Sequence, residues 1–237
     1  MNKDGKIKAV LFDSGRVLNV PSTGHWFISP NFFKYANEEK YKKISKIKIN
    51  NAFKEAGRYI NKQNFIKTEE DEFKCFIEFY SILSKCLPEL GLMENDIESI
   101  AKDLVYNRKK YKFFDDVKDA LNTLSKKYKL AIVSDAWPSL EGVFVDAGLR
   151  GYFTEFVISS QVGITKPNSL IFEIALERLN IKPHEAVFVD DNAKNCEGAR
   201  NVGIKPILIA RHFGQYIYYK MRYRNYKVVH DLKQELI

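Results

Sequence analysis

Five short apolar runs organise this chain. They occupy residues 9–12, 130–133, 156–158, 186–189 and 206–209. A short run that is apolar at every position, and that lies between turn-forming residues, is typical of a strand buried on both faces of a sheet. The sequence therefore predicts five buried strands.

Amphipathic segments lie in the four gaps between these five runs. Apolar residues recur there at helical spacing, which predicts helices over residues 115–127, 139–147, 169–179 and 193–201. Strands that alternate with helices imply a parallel sheet with right-handed crossovers. The predicted fold class is therefore α/β, with a Rossmann-like parallel sheet.

The segment from Asn31 to Asn107 has a different pattern. Apolar residues such as Ile44, Phe53 and Ile60 recur at near-helical spacing, and the segment contains no convincing strand. Thr68 is followed at once by the acids Glu69, Glu70 and Asp71, which is typical of a capped helix start. The sequence therefore predicts a separate, inserted helical domain.

These patterns divide the chain into two predicted domains. Residues 1–20 and 108–237 form the sheet-containing core domain, and residues 21–107 form the helical insertion. The apolar fraction of 45% is ordinary for a globular protein with a real core.

Composition narrows the expected location and partners. The three cysteines are odd in number and have no metal-ligand spacing, so we expect reduced thiols and a cytoplasmic protein. No signal peptide is expected over Met1 to Lys8, and no apolar run approaches the roughly 20 residues that span a bilayer. We therefore expect no membrane partner. The net charge of +8 favours anionic partners.

Polar side chains follow three of the predicted strands: Asp13, Ser134 with Asp135, and Asp190 with Asp191. In an open α/β sheet, ligands bind beyond the carboxyl ends of the strands, so these groups are expected to converge with Lys166 from a nearby loop. Carboxylates this close repel one another and need a cation, and a set of oxygen ligands suits Mg²⁺. Lys166 and the Ser134 hydroxyl would then bind phosphate oxygens.

Four short motifs carry a family resemblance. They are Phe12-Asp13, Val133-Ser134, Lys166-Pro167 and Asp190-Asp191. In this order they resemble the motifs of the haloacid dehalogenase (HAD) superfamily of hydrolases, most of which are Mg²⁺-dependent phosphatases. The resemblance covers residues 7–20 and about 112–210, and the helical insertion matches the family's cap domain by position. Each motif alone is weak, but four in order are a strong indication.

The resemblance implies nucleophilic catalysis by Asp13, which would form an aspartyl-phosphate that water then hydrolyses. It also implies roles for the other site residues. Mg²⁺ would be held by Asp13, the Gly15 carbonyl and Asp191, with Asp190 beside it directly or through water. The phosphoryl group would be bound by Ser134, Asp135 and Lys166, and Asn195 would orient the fourth-motif loop or Lys166. The expected substrate is a small phosphorylated metabolite.

One position departs from the family pattern. Most phosphatases of the family carry a general acid and base aspartate two residues after the nucleophile, and this chain has Gly15 there. General acid–base help is worth about 10²–10⁴-fold. Arg16, His25 or Asp135 are the candidate substitutes, and His25 has the most suitable pKa. A loop histidine without a catalytic role is the simpler interpretation of His25.

Gly15 also leaves other chemistries open. Dehalogenases of the superfamily lack the second aspartate and use no metal, but they also lack the acid pair seen at Asp190-Asp191. Phosphonate hydrolases of the superfamily use a cap lysine, and this insertion holds Lys42, Lys46, Lys54 and Lys62, among others. A solvated helix face explains these lysines more simply.

A binding protein that has lost catalysis is a further alternative. The segment 211–227 interleaves basic residues with tyrosines, a composition that suits a nucleic-acid strand. A connection whose tyrosines pack on the domain's flank is the favoured interpretation, so nucleic acid is not the expected partner. The sequence predicts neither the particular substrate nor the oligomeric state.

Overall fold

The computed structural model describes residues 6–234 and 236–237. Residues 1–5 and residue 235, which belong to the predicted core domain, lie outside the described residues. Contacts within the chain divide it into two compact units. The sheet unit contains the described residues up to Val20, residues 113–136 and the described residues from 144 onward, and the helical unit contains residues 21–112 and 137–143.

The strands are β1 Ala9–Phe12, β2 Asn19–Pro21, β3 Tyr111–Phe113, β4 Lys129–Ser134, β5 Glu155–Ile158, β6 Ala186–Asp190, β7 Lys205–Ile209 and β8 Lys227–Val229. Six of them form one sheet in the order β5-β4-β1-β6-β7-β8, and every neighbouring pair is parallel. The chain leaves the sheet unit at β2 and returns at β3. The predicted α/β fold class is confirmed, and all five predicted strands are present.

The helices are α1 Phe32–Tyr35, α2 Glu38–Lys43, α3 Lys46–Ile60, α4 Glu69–Cys86, α5 Glu94–Tyr106, α6 Val117–Leu124, α7 Ser139–Asp146, α8 Ser159–Val162, α9 Ser169–Leu179, α10 Ala193–Asn201 and α11 Phe213–Arg222. Among the described residues, none of these helices is both long enough and apolar enough to cross a membrane. The tyrosine-rich segment 211–227 contains α11 and leads into β8, and neither element is predicted from the sequence.

The register of the sheet brings the strand ends together. Phe12, the last residue of β1, pairs with Ile132 of β4 on one side and with Val189 of β6 on the other. The residues just beyond these pairs therefore lie at one edge of the sheet. The strands themselves are buried: every residue of β1 and β6 is inaccessible to solvent or nearly so.

The helical unit has its own apolar core, built on α3, α4 and α5. Phe76, Phe79, Tyr80 and Leu83 of α4 are fully buried, and each such side chain contributes about 1.5–3 kcal/mol by leaving water. Thr68 caps α4 as the sequence predicts: its hydroxyl accepts from the Asp71 amide, and the Asp71 carboxylate accepts from the Thr68 amide.

The helical unit also contains a break that the periodicity does not reveal. The chain leaves helical geometry at Ile44, and Ser45 then caps a new helix by accepting from the Lys48 amide. The segment 38–63 is therefore two helices. The predicted domain bounds of 21–107 stay a prediction.

Candidate active site

Asp13 lies directly after the central strand β1, and its amide donates to the carbonyl of Val189 at 2.9 Å. One carboxylate oxygen, Oδ1, accepts from the Ser134 hydroxyl at 2.7 Å and lies 2.7 Å from the Lys166 ammonium. The described residues give no hydrogen bond to the other oxygen. Asp13 is therefore a buried carboxylate that is held through one oxygen.

The loop after Asp13 turns tightly through Gly15. The Leu18 and Asn19 amides both donate to the Ser14 carbonyl, and the Asn19 side chain donates to the Ser14 hydroxyl at 2.7 Å. Arg16 adopts the left-handed backbone conformation, with φ of 59°, which costs a residue with a side chain about 1–2 kcal/mol. These contacts hold Gly15, which is two residues after Asp13, in an ordered turn.

The turn is also fixed from outside by a buried arginine. Arg211 donates from Nε to the Val17 carbonyl at 3.1 Å, and its guanidinium forms an ion pair with Asp116 at 2.6 Å. The same Asp116 carboxylate accepts from the Leu232 amide at 2.7 Å. The loop that carries Gly15 is therefore anchored to distant parts of the sheet unit.

Lys166 joins two of the carboxylates. Its ammonium lies 2.7 Å from Asp13 and 2.9 Å from Asp190, in a buried position. Burial disfavours the charged form, but the charges of Asp13, Asp190 and Asp135 outweigh burial and raise the pKa of Lys166. Lys166 therefore remains an ammonium at neutral pH.

The Asp135 side chain contacts the backbone of the loop that carries Lys166. Its carboxylate accepts from the Lys166 amide at 3.0 Å, and burial raises its pKa. This contact fixes the Lys166 loop beside β4. The role in phosphate binding expected for Asp135 stays a prediction, and the contact indicates a positioning role instead.

Asp190 is inaccessible to solvent, and both of its carboxylate oxygens have protein partners. Oδ1 accepts from the Asn192 amide at 2.7 Å, and Oδ2 accepts from Lys166 at 2.9 Å and from the Asn195 side chain at 3.1 Å. Burial raises the pKa of Asp190 to about 7, with a further contribution from the charge of Asp13. Asn195 therefore orients Lys166 through Asp190.

Asp191 is the more open member of the acid pair, since its side chain is 19% exposed. Its carboxylate forms a long ion pair of 3.9 Å with Arg16, whose own side chain is 67% exposed. Burial, and then the charge of Asp13, raise the pKa of Asp191 to about 6. The Asp191 carboxylate is thus the least constrained of the site's acids.

The three acids Asp13, Asp190 and Asp191 meet in one cluster. One oxygen from each lies within 4.8 Å of the others. Three carboxylates meet here and one buried ammonium, that of Lys166, lies among them, so negative charge is in excess. A set of carboxylate oxygens with excess negative charge fits a hard divalent cation such as Mg²⁺.

The structure therefore brings together Asp13, Ser134, Asp135, Lys166, Asp190, Asp191 and Asn195, with Gly15 in the adjoining turn. It also adds groups that the sequence analysis missed. Tyr219 of α11 donates to the Asp191 carbonyl at 3.0 Å, and Gln215 donates to the Tyr219 hydroxyl at 2.8 Å. No motif marks either residue, because their role depends on where α11 packs.

The candidate proton donor His25 belongs to the helical unit. Its ring lies 4.4 Å from the ring of Phe53, and its Nδ1 accepts from the Phe27 amide at 3.2 Å. Burial lowers the pKa of His25. These contacts favour the simpler interpretation of a packed histidine, and a catalytic role stays a prediction.

The four lysines considered for phosphonate chemistry, Lys42, Lys46, Lys54 and Lys62, are all exposed. Lys42 forms ion pairs with Glu38 and Glu39 on its own helix, which raise its pKa. A nucleophilic lysine needs the lowered pKa that burial gives. The exposure of these lysines favours a solvated helix face.

A parallel sheet whose strand ends gather three acids around one buried lysine is the arrangement expected of the HAD class. The sequence matches the family described as haloacid dehalogenase-like hydrolase over residues 18–209. The chain belongs to this family.

Curated relatives of the chain include both phosphatases and dehalogenases. A phosphoserine phosphatase of Thermus thermophilus is 29% identical over 133 residues, or 55% of this chain and 53% of the relative. A glyceraldehyde 3-phosphate phosphatase of Pyrococcus furiosus is 30% identical over 158 residues, or 63% and 65%. An (S)-2-haloacid dehalogenase of Pseudomonas sp. is 34% identical over 100 residues, or 41% and 43%. The matches thus span less than two thirds of each relative.

Solved structures share the fold over almost the whole chain. A 2-haloacid dehalogenase from Pseudomonas syringae has a TM-score of 0.62 at 18% identity and covers 96% of both chains. A HAD-family enzyme from Bacteroides thetaiotaomicron, in complex with magnesium and inorganic phosphate, has a TM-score of 0.59 at 21% identity and covers 86% of this chain and 94% of that one. These likenesses show the fold.

Proposed function

We propose that this protein is a Mg²⁺-dependent phosphatase that acts on a small phosphorylated metabolite through an aspartyl-phosphate. One observation carries the proposal: Lys166 and Ser134 both contact Oδ1 of Asp13, while the described residues leave the other oxygen without a hydrogen bond. A carboxylate held in this way has one oxygen fixed and one available as a nucleophile, with two donors beside it for the oxygens of a phosphoryl group.

In the first step, the available oxygen of Asp13 attacks phosphorus, and the bond from phosphorus to the leaving oxygen breaks. Lys166 has three N–H donors and uses two of them on Asp13 and Asp190, so one remains for a phosphoryl oxygen. In the second step, water attacks phosphorus and the bond to Asp13 breaks. Inorganic phosphate leaves and the carboxylate is restored.

The residues that would hold Mg²⁺ are Asp13 and Asp191 through their carboxylates and Gly15 through its carbonyl, with Asp190 beside them. When bound, the ion neutralises negative charge on the carboxylates and on the phosphoryl oxygens. Asp190 contributes mainly by orienting Lys166, because its two oxygens are already occupied by Asn192, Lys166 and Asn195.

Gly15 supplies no proton to the leaving oxygen, which therefore takes its proton from water. Substrates whose leaving group is a weak base should consequently react faster. The net charge of +8 favours anionic substrates, and the phosphoserine and glyceraldehyde 3-phosphate phosphatases are named for small phosphate monoesters. By its place in the chain, the helical segment 21–107 is the counterpart of the family's cap domain. The three free thiols support a cytoplasmic location.

The test is release of inorganic phosphate from a panel of phosphorylated metabolites, with Mg²⁺ and with a chelator. We expect release that requires Mg²⁺, and Asp13→Asn should lower it at least about a thousandfold, as loss of a nucleophile does. Asp146→Asn, the same change at an exposed site on α7, is the matched control and should leave turnover unchanged.

Haloacid dehalogenation is the second candidate, supported by Gly15 and by the likeness to (S)-2-haloacid dehalogenases. It predicts chloride release from a 2-haloacid that persists in chelator. Such release, without phosphatase activity, would replace the phosphatase proposal. Unchanged phosphate release by Asp13→Asn would remove the nucleophile assignment.

A further inference from the structure

Helix α11 reaches the candidate site through one side chain. The Tyr219 hydroxyl donates to the carbonyl of Asp191 at 3.0 Å, and Gln215, one helical turn earlier, donates to that hydroxyl at 2.8 Å. Residues four apart lie on the same helix face, so Gln215 holds the Tyr219 ring in this orientation. Burial raises the pKa of Tyr219, which keeps its hydroxyl protonated as a donor.

A series of ring contacts runs from α11 into the residues that follow it. Tyr219 and Tyr223 are half-buried, with their rings 5.3 Å apart at 82°. The contacts continue to Tyr226, which lies 6.0 Å from Tyr223 and receives the Arg200 guanidinium of α10 over its ring at 4.0 Å. This series of rings fixes α11 against the helix that follows the Asp190-Asp191 pair. Packing thus accounts for Tyr219, Tyr223 and Tyr226 in this tyrosine-rich segment.

Asp191 is the member of the acid cluster that most needs such support. Asp190 is fixed by three donors, and Asp13 by Ser134 and Lys166. In the described part of the chain, the Asp191 carboxylate has one side-chain partner, exposed Arg16 at 3.9 Å, and its other contact is with its own backbone amide. Its direction therefore depends on its backbone, and Tyr219 holds that backbone at the carbonyl.

We propose that Tyr219, supported by Gln215, is a positioning residue that sets the direction of Asp191 for binding a divalent cation. The inference rests on the proposed function, since it assigns Asp191 to that cation. Groups that orient a metal ligand typically change metal affinity 10–100-fold when they are removed. Tyr219 acts through a backbone carbonyl, so the lower end of this range applies.

The test is direct binding of Mn²⁺ or Mg²⁺, measured by titration calorimetry without substrate. Tyr219→Phe removes one hydroxyl and should weaken binding about tenfold. Gln215→Ala should weaken it about threefold, because the hydroxyl then loses its support. Tyr218→Phe is the matched control: Tyr218 is 57% exposed on the same helix, and its ring neighbours Tyr219. It should bind metal like the wild type.

A merely structural role for Tyr219 predicts a different result, namely a lower Tm with unchanged metal affinity. The positioning role predicts an unchanged Tm, weaker binding and recovery of phosphate release at saturating Mg²⁺. Wild-type affinity in Tyr219→Phe would overturn the inference and leave the proposed function standing. Normal wild-type metal binding without any phosphate release would overturn the proposed function alone. A wild type that binds neither ion would overturn both.

Discussion

Each unit of this protein buries a lysine against carboxylates, but the two clusters balance their charges differently. In the helical unit, the Glu72 carboxylate accepts from the Ser139 amide at 2.8 Å and from the Ser139 hydroxyl at 2.6 Å. Lys110 donates to the same hydroxyl at 2.5 Å and to the Leu104 carbonyl at 2.9 Å, and it lies 3.9 Å from Glu72. This cluster has one acid, one base and a partner for each.

The site cluster in the sheet unit is unbalanced by comparison. Asp13, Asp190 and Asp191 share one buried ammonium, and the pKa values of Asp190 and Asp191 rise to about 7 and about 6. Burial also shifts the pKa values in the balanced pair, Glu72 and Lys110. It raises the pKa of Glu72 and lowers that of Lys110 to about 8. Shifted pKa values therefore do not distinguish the clusters. The excess of one sign of charge does, because only that excess calls for a further cation.

The largest effect should come from breaking the balanced pair. Lys110→Met leaves the Glu72 carboxylate buried without its counter-charge, which typically costs about 3–5 kcal/mol of unfolding free energy. Urea unfolding at pH 7 measures this loss.

The double variant Glu72→Gln/Lys110→Met supplies the control, because it removes both charges together and should recover at least half of the loss. A loss below about 1 kcal/mol in the single variant would mean that the pair is solvated, and the comparison would fail.

Removing a charge from the site should instead raise the free energy of unfolding. The pKa of Asp191 is raised from 3.8 to about 6, so the folded protein holds this proton more tightly than the unfolded chain does. The resulting stabilisation is fully present below pH 4 and is lost as pH rises through 6. Asp191→Asn undergoes no such loss. In chelator, it should match the wild type near pH 4 and exceed it by about 2 kcal/mol at pH 7.5.

Chemical denaturation at the two pH values measures this difference. Asp146→Asn, the same change at an exposed position, is the matched control. Equal stability of Asp191→Asn and the wild type at both pH values would show that the charge of Asp191 does not destabilise the fold.

The smallest effect concerns backbone strain in the loop after Asp13. Arg16 has a φ of 59°, which glycine adopts without a Cβ penalty. Arg16→Gly and Arg16→Ala both remove the exposed ion pair with Asp191, but only glycine relieves the strain. Arg16→Gly should therefore be about 1 kcal/mol more stable than Arg16→Ala by thermal unfolding. The reverse order would show that the loop relaxes out of the left-handed conformation.

The sequence was sufficient to predict five of the six strands of the sheet and most of the residues that meet at its edge. Apolar runs identify buried strands, and each run that ends in an acid marks a strand end, so Asp13 and Asp190 could be foreseen. The contacts that Asp190 makes depend on side-chain geometry, and the sequence did not reveal that Asn192, Lys166 and Asn195 fill both its oxygens.

The balanced cluster and α11 could not be foreseen for the same physical reason. Glu72 looks like one more acid in a helix start, and Lys110 closes a run of three basic residues. Their burial depends on Ser139, which is 67 residues from Glu72. Tyr219 likewise has no mark in its own segment, since its importance comes from a carbonyl 28 residues earlier.

The places of β1 and β6 in the sheet have a consequence for how this protein can change. β1 has two strands on one side and three on the other, and β6 has three and two. Asp13 and Asp190 therefore lie at the ends of the two innermost strands, which have the fewest routes to local opening. The groups that tune the cluster, Arg16 and Tyr219, stand instead on a turn and on an outer helix. Substitutions on the turn and on the outer helix can therefore alter the acid cluster while the position of Asp13 is unchanged.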